Sequence, residues 1–215
     1  MLYLTEISIP VKAAVDTTVS LNPLVASDID YCVKTWMADK PSLACRPWRA
    51  TSQRGAVRIT GWRGTAAANQ DRAVYLGTRA MSLQAGQLLA LVGRFVPLRR
   101  NKSGMRDAAK GRADPIAAYG AWLQERLIDL MPFATIDEMR IIATTHRRVL
   151  RKVAHGREHT RIREELIPVV EADILLTLRE PARVEAWLLH GLGPQKAFGY
   201  GAFLPAIDPR LDGAG

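Results

Sequence analysis

Four glycines near the C-terminus, Gly191, Gly193, Gly199 and Gly201, constrain this chain more than any other feature. They lie in the run Trp187-Leu188-Leu189-His190-Gly191-Leu192-Gly193-Pro194-Gln195-Lys196-Ala197-Phe198-Gly199-Tyr200-Gly201, with apolar sequence on both sides. Glycine reaches backbone conformations closed to other residues and lets another group approach the chain closely. The spacing excludes the dinucleotide-binding fingerprint, because no glycine stands three residues after Gly193 and the segment follows a helical pattern rather than a strand. The phosphate-binding loop is excluded as well, since no Gly-Lys-Ser/Thr occurs. What remains is a helix, a glycine-rich loop and a strand. Such a loop can lie against a phosphodiester with Lys196 supplying charge, or it can simply turn the chain.

At 215 residues the chain makes one large domain or two small ones, and 48% hydrophobic content is enough for a core. No apolar run approaches the ~18 residues of a membrane span; the best, Leu88 to Val92, is five residues long. Met1 to Glu6 has neither a basic segment nor a small-residue cleavage site, so a signal peptide is not expected. Cys32 and Cys45 are too few for a disulfide framework or an all-cysteine metal site. A cytoplasmic protein without membrane contact is the expectation.

Charge is distributed unevenly. The formal net charge is +9, and two windows carry more than all of it. Arg94 to Arg112 holds seven basic residues against Asp107 alone, and Arg140 to Arg163 holds eight against Glu158 alone. The remainder of the chain is mildly acidic. Two basic stretches on such a body are either solvated faces or the footprint of a polyanion, whose phosphates release condensed counterions when they are neutralised.

Periodicity gives an α+β chain. Residues 1–13 read as a strand and lead into a loop through Asn22-Pro23. Ser27-Asp28 reads as a helix N-cap for Ile29 to Met37, with Ile29, Val33, Trp36 and Met37 on one face. Leu43–Ala50 and Ala56–Arg63 read as a hairpin, and Val74–Leu83 with Gln87–Leu98 as a second strand pair turning at Ala85-Gly86. This is most of a ferredoxin-like unit. A basic loop, 101–115, separates it from a helix over Ile116–Leu130. Met139–Ala154 and His159–Leu178 read as a long basic hairpin, with a helix competing for 147–154. Pro181 opens a helix to His190, and a strand over Gly199–Ile207 ends the chain. The expected organisation is a first domain over 1–100, a basic linker over 101–115 and a second domain over 116–215.

The order "apolar helix, Gly-Leu-Gly-x-x-Lys-Ala-Phe-Gly-x-Gly, apolar strand" resembles the repeat-associated (RAMP) proteins of CRISPR systems. More narrowly it resembles the CasE-type endoribonucleases that cut CRISPR precursor RNA at repeat hairpins. Gly93 to Asn101, the basic segment after it and Tyr119-Gly120-Ala121-Trp122-Leu123 resemble the family's middle strand, basic stretch and Trp-Leu helix. Glu171 to Leu178 stands where the family has a strand before its last helix. The resemblance implies two tandem ferredoxin-like (RRM-like) domains and RNA cleavage without metal or other cofactor. In that reaction the ribose 2′-OH attacks the adjacent phosphate and leaves a 2′,3′-cyclic phosphate.

The family's active-site pair is Tyr-x-x-His on the first helix. Here Tyr31 matches, and Lys34 stands where the histidine would be. A spacing of three places both on one helix face, within reach of a single phosphate; the alternative is the outer face of an amphipathic helix. Lysine is a poor general base at neutral pH unless its environment depresses it, but it can hold a phosphate oxygen or stabilise the transition state. His190, next to the glycine loop, is a third catalytic candidate, against the plainer role of a cation at a helix C-terminus. His146, His155 and His159 lie in the basic hairpin, and no carboxylate completes a metal site around them.

For the RNA stem the candidates are Arg147, Arg148, Arg151, Lys152, Arg157, His159, Arg161 and Arg163, then Arg99, Arg100, Lys102, Arg106, Lys110 and Arg112, because A-form RNA is gripped through its backbone. Gly191, Gly193, Lys196, Gly199 and Gly201 would meet the phosphodiester. Trp48, Trp62 and Tyr75 would stack on unpaired bases or fill the core. The resulting expectation is an endoribonuclease that cuts at the base of the repeat hairpin and stays bound as a subunit of a CRISPR effector complex. Its rival is a stem-loop-binding subunit of such a complex that has lost the chemistry.

Overall fold

Two antiparallel four-stranded sheets carry the structure, a computed structural model that describes residues 1–21, 27–66, 75–101, 104–155 and 159–206. The first sheet has the order β2-β3-β1-β4, formed by β1 (Leu2–Pro10), β2 (Trp48–Gln53), β3 (Ala56–Arg63) and β4 (Tyr75–Met81). The second has the order β10-β5-β9-β8, formed by β5 (Leu88–Phe95), β8 (Ala134–His155), β9 (His159–Leu178) and β10 (Phe203–Pro205). Both orders are ferredoxin-like, and the second unit shows the full alternation of strands and helices. Between them β6 (Leu98–Asn101) and β7 (Gly104–Asp107) form a two-stranded ribbon inside the basic stretch that the sequence leaves as a loop.

Among the described residues four α-helices complete the units: α1 (Val11–Leu21), α2 (Ile29–Asp39), α3 (Pro115–Leu127) and α4 (Pro181–His190). Helix α1 replaces the expected end of a strand and loop. Its β-branched residues obscure the helical period, yet Ala14 and Thr18 are both fully buried one turn apart. The hydroxyls of Thr17 and Thr18 donate to the carbonyls of Ala13 and Ala14, four residues back, which satisfies them inside the helix. Helix α3 starts at the Asp114 cap, whose Oδ1 accepts from the Ala117 amide at 3.0 Å, and buries Tyr119, Trp122, Leu123 and Leu127. Gly120 sits mid-helix with no atom within 4 Å of where a Cβ would stand. Gly120→Ala is therefore expected to stabilise the fold by about 0.5–1 kcal/mol, through helix propensity alone. Thermal denaturation checks this as a rise of about 2 °C in Tm.

The expected pairing of Val74–Leu83 with Gln87–Leu98 does not form. Strand β4 pairs with β1, and β5 pairs with β9 and β10. The Ala85-Gly86 turn is present, but the Gly86 amide donates to Leu178 O at 2.7 Å and the Leu178 amide to Gln87 O at 3.0 Å, so the turn delivers the chain onto β9. The chain thus passes from the first sheet, which holds β4, to the second, which holds β5, between Met81 and Leu88.

Strands β8 and β9 pair along their whole length, and the competing helix over 147–154 does not form. Because β5 meets β9 only from Val170 onward, the rest of the hairpin projects past the sheet as a two-stranded ribbon. The last strand is shorter than expected at Phe203–Pro205, and Ile207 lies outside the described residues. One hydrophobic cluster spans the units: Leu2 and Trp62 of the first sheet pack with Phe95, Trp122, Ile174, Leu188 and Phe203. Trp62 donates its indole N–H to Phe203 O, and Trp48 and Trp62 are both core residues, while the side chain of Tyr75 lies outside what is described. Among the described residues no helix is long and apolar enough to cross a membrane.

Candidate functional site

Helix α2 begins on Asp28, as its sequence requires, but the cap does more than end a helix. Oδ1 of Asp28 accepts from the Tyr31 amide at 3.1 Å, while Oδ2 accepts from the Leu150 amide of β8 at 2.8 Å and lies 3.5 Å from the Arg151 guanidinium. One buried carboxylate thereby fixes the start of α2 against the basic hairpin. Cys32, Val33, Trp36 and Met37 bury the inner face of the helix, and Tyr31 and Lys34 emerge half-buried beside it.

Both meet Phe198, which lies in a short 3-10 turn, Lys196–Phe198, of the glycine loop. The Tyr31 and Phe198 ring centres are 5.9 Å apart, and Lys34 Nζ lies 4.5 Å from the centre of Phe198 and 5.1 Å from that of Tyr31. The guanidinium carbon of Arg151 is 3.9 Å from the same Phe198 ring. A phenol and two cations thus gather at the point where α2, β8 and the glycine loop converge.

A second tie lies one residue earlier on α2. Oδ2 of Asp30 accepts from the Tyr200 hydroxyl at 3.0 Å and pairs with Arg147 Nη1 at 3.0 Å. The Asp30 side chain is 5% exposed, and burial lifts its carboxyl above the usual range while Arg147 and Tyr200 pull it part of the way back. Tyr200 is held protonated by burial and by the carboxylate it donates to. Asp30 and Tyr200 are 170 residues apart in sequence, and this bond anchors the glycine loop to α2.

The spaces beside the four glycines are occupied by protein. A Cβ at Gly199 would stand 2.4 Å from the Trp48 ring, and one at Gly201 would stand 2.1 Å from Leu192 O. Gly191 faces Pro47 and Gly193 faces Trp122. Close packing of the loop between the two units is what these positions require.

His190 is exposed and belongs to a different recess, lined by Arg100, Arg126, Trp187 and Lys196 among others. Lys196 Nζ donates to His190 O at 3.0 Å and lies 3.2 Å from its Nε2; burial depresses the lysine. Neither Tyr31 nor Lys34 lines that recess. Of the arginines expected to grip RNA, Arg147 and Arg151 turn inward onto Asp30 and Asp28. Arg148 is 79% exposed and pairs with Glu164, and Arg99 pairs with Glu125. Arg100, Arg106 and Arg163 are exposed as well. Lys102 and Arg157 lie outside the described residues, as do the side chains of Lys152, His159 and Arg161. The residues absent from the sequence-based site are Phe198, Asp30 and Tyr200. Phe198 and Tyr200 stand in the glycine motif itself, and Asp30 immediately precedes Tyr31.

Two ferredoxin-like units, with a glycine loop of the second packed on the first and a basic hairpin tied to α2, make up the fold and its site. The chain belongs to the family described as CRISPR associated protein, whose model matches residues 58–204. Its fold is that of a solved CRISPR endoribonuclease Cse3 bound to a 19-nucleotide RNA, at a TM-score of 0.60 and 22% identity, covering 96% of this chain and 100% of that one. The CRISPR-associated protein Cas6e from Escherichia coli str. K-12 aligns at a TM-score of 0.58 and 18% identity over 95% of this chain and 98% of its own. A chain of a CRISPR RNA-guided surveillance complex, pre-nicking, aligns at 0.57 and 14% identity over 95% and 99%. No curated protein matches the chain.

Proposed function

We propose that this protein is an endoribonuclease that binds the CRISPR repeat stem-loop, cuts the precursor RNA at the base of the hairpin and keeps the product as a subunit of an effector complex. The observation that carries the reading is the convergence of Tyr31, Lys34 and Arg151 on Phe198, at the meeting of α2 with the glycine loop. The structural likeness to Cse3 and Cas6e over nearly the whole chain supports it.

In the cleavage step the ribose 2′-oxygen bonds to the adjacent phosphorus as its proton leaves to solvent, and the phosphorus–5′-oxygen bond breaks. The products are a 2′,3′-cyclic phosphate and a 5′-hydroxyl. Lysine carries its proton at neutral pH, so Lys34 suits holding a non-bridging oxygen and handing a proton to the leaving 5′-oxygen. The Tyr31 hydroxyl supplies a second donor to the phosphorane. The exposed arginines of the hairpin and of the β6–β7 ribbon supply the salt-dependent grip on the stem.

A labelled repeat hairpin incubated with the protein in EDTA tests this. The expected result is a single cut at the stem base, with a 2′,3′-cyclic phosphate on the upstream fragment. Tight binding without product would make the chain a stem-loop holder, and weak binding indifferent to the hairpin would overturn both readings.

A further inference from the structure

Arg151 belongs to a basic hairpin, yet its side chain is turned inward and the residue is only 9% exposed. Nη1 donates to Leu150 O at 2.9 Å and lies 3.5 Å from Asp28 Oδ2. Nε and Nη2 are buried and have no hydrogen-bond partner among the described residues. A buried donor without an acceptor is costly, and the face of the Phe198 ring, 3.9 Å from the guanidinium carbon, is what this group has in place of one. The same ring carries Lys34 Nζ at 4.5 Å and packs against Tyr31 at an interplanar angle of 45°.

Placing two cations on one aromatic ring is a poor device for stability, because they repel each other and draw on the same quadrupole. It is a good device for fixing position. Phe198 sits in a turn bracketed by left-handed backbone at Gln195 and Gly199, with Tyr200 hydrogen-bonded to Asp30 just beyond. Arg151 is set in turn by Asp28, the residue that caps α2. Each component of the cluster is therefore tied to the same helix end.

We propose that Phe198, braced by Arg151, is the positioning residue that sets where the Lys34 ammonium and the Tyr31 phenol stand against the scissile phosphate. This rests on the function proposed above, and it gives Arg151 an inward role in place of a contact with the RNA stem. Misplacing a catalytic group by a fraction of its length costs rate without costing affinity.

The test measures single-turnover cleavage and RNA affinity separately for wild type, Phe198→Leu, Phe198→Tyr and Arg151→Met. For Phe198→Leu and Arg151→Met the expected result is a fall in cleavage rate of about 10–100-fold with Kd held within about threefold. Phe198→Tyr, which keeps the ring, should cleave within about threefold of wild type. Arg151→Met leaves Phe198 in place and carries the test if Phe198→Leu fails to fold. Phe198→Leu at the wild-type rate, a loss of affinity equal to the loss of rate, or Phe198→Tyr falling as far as leucine would each overturn the inference alone. A wild type that binds the hairpin without cutting it overturns the proposed function, and this inference with it.

Discussion

Lys34→Ala is expected to slow single-turnover cleavage of a repeat hairpin by about 10²–10³-fold, the usual cost of removing a cation or proton donor from a developing phosphorane. The fold should not change. Helix α2 is held by the Asp28 cap and by Cys32, Val33, Trp36 and Met37 on its inner face, none of which alanine at position 34 disturbs. Binding should barely change either, because the stem is gripped by many phosphate contacts and one lysine accounts for a salt-dependence slope of about one. His190→Ala is the internal comparison. Its ring pairs with Lys196 in a separate recess, so the expected loss is no more than about tenfold. Equal losses for the two variants would place the chemistry between α2 and the Lys196 recess rather than where Tyr31 and Lys34 meet over Phe198. A fully active Lys34→Ala would remove Lys34 from the mechanism.

The asymmetry between these two residues shows what a sequence can and cannot carry. Tyr31 and Lys34 stand out because three-residue spacing puts them on one helix face and because the motif around them resembles a family. Asp28 stands out as a cap. Asp30 and Tyr200 stand beside residues that do, but nothing local marks their pairing until the chain brings them to 3.0 Å of each other across 170 residues. The inward partners of Arg147 and Arg151 are hidden for a related reason. A run of arginines on a strand reads as a solvated face, and only the packing of α2 against β8 reveals carboxylates there to take them inward.

The fold divides in the same way. The cap of α2 and the β2–β3 and β8–β9 pairings are encoded within a few residues and form as the pattern implies, although β2 starts at Trp48 rather than Leu43 and β8 at Ala134 rather than Met139. The partners of β4 and β5 are set by sheet order, which a turn signal at Ala85-Gly86 cannot specify. The helix α1 is concealed by valines and threonines whose preference for strands is overruled by burial of Ala14 and Thr18.

Gly201→Ala is expected to be the most damaging single substitution for stability, by about 4 kcal/mol, because it combines a left-handed backbone with a clash against main chain. Gly201 has φ +84°, and its Cβ would stand 2.1 Å from Leu192 O. Neither strand of the contact can slide away. The Leu192 amide donates to Gly201 O at 2.8 Å, and the Gly201 amide donates to Arg94 O of β5 at 2.7 Å. For a chain of this size the corresponding fall in Tm is about 12 °C. Gly86→Ala provides the scale: φ is similar at +77° but no atom lies within 4 Å, so backbone strain alone should cost about 1–2 kcal/mol. Any variant that does fold should also cleave poorly, since relaxing Gly201 pulls Tyr200 from Asp30 and shifts Phe198 beneath Lys34. The comparison separates the two uses a glycine loop can have. If Gly201→Ala melts no lower than Gly86→Ala and yet loses affinity for the hairpin, the glycine leaves room for a phosphodiester. If it melts far lower, the glycine leaves room for Leu192, and the loop serves the RNA through the side chains it positions.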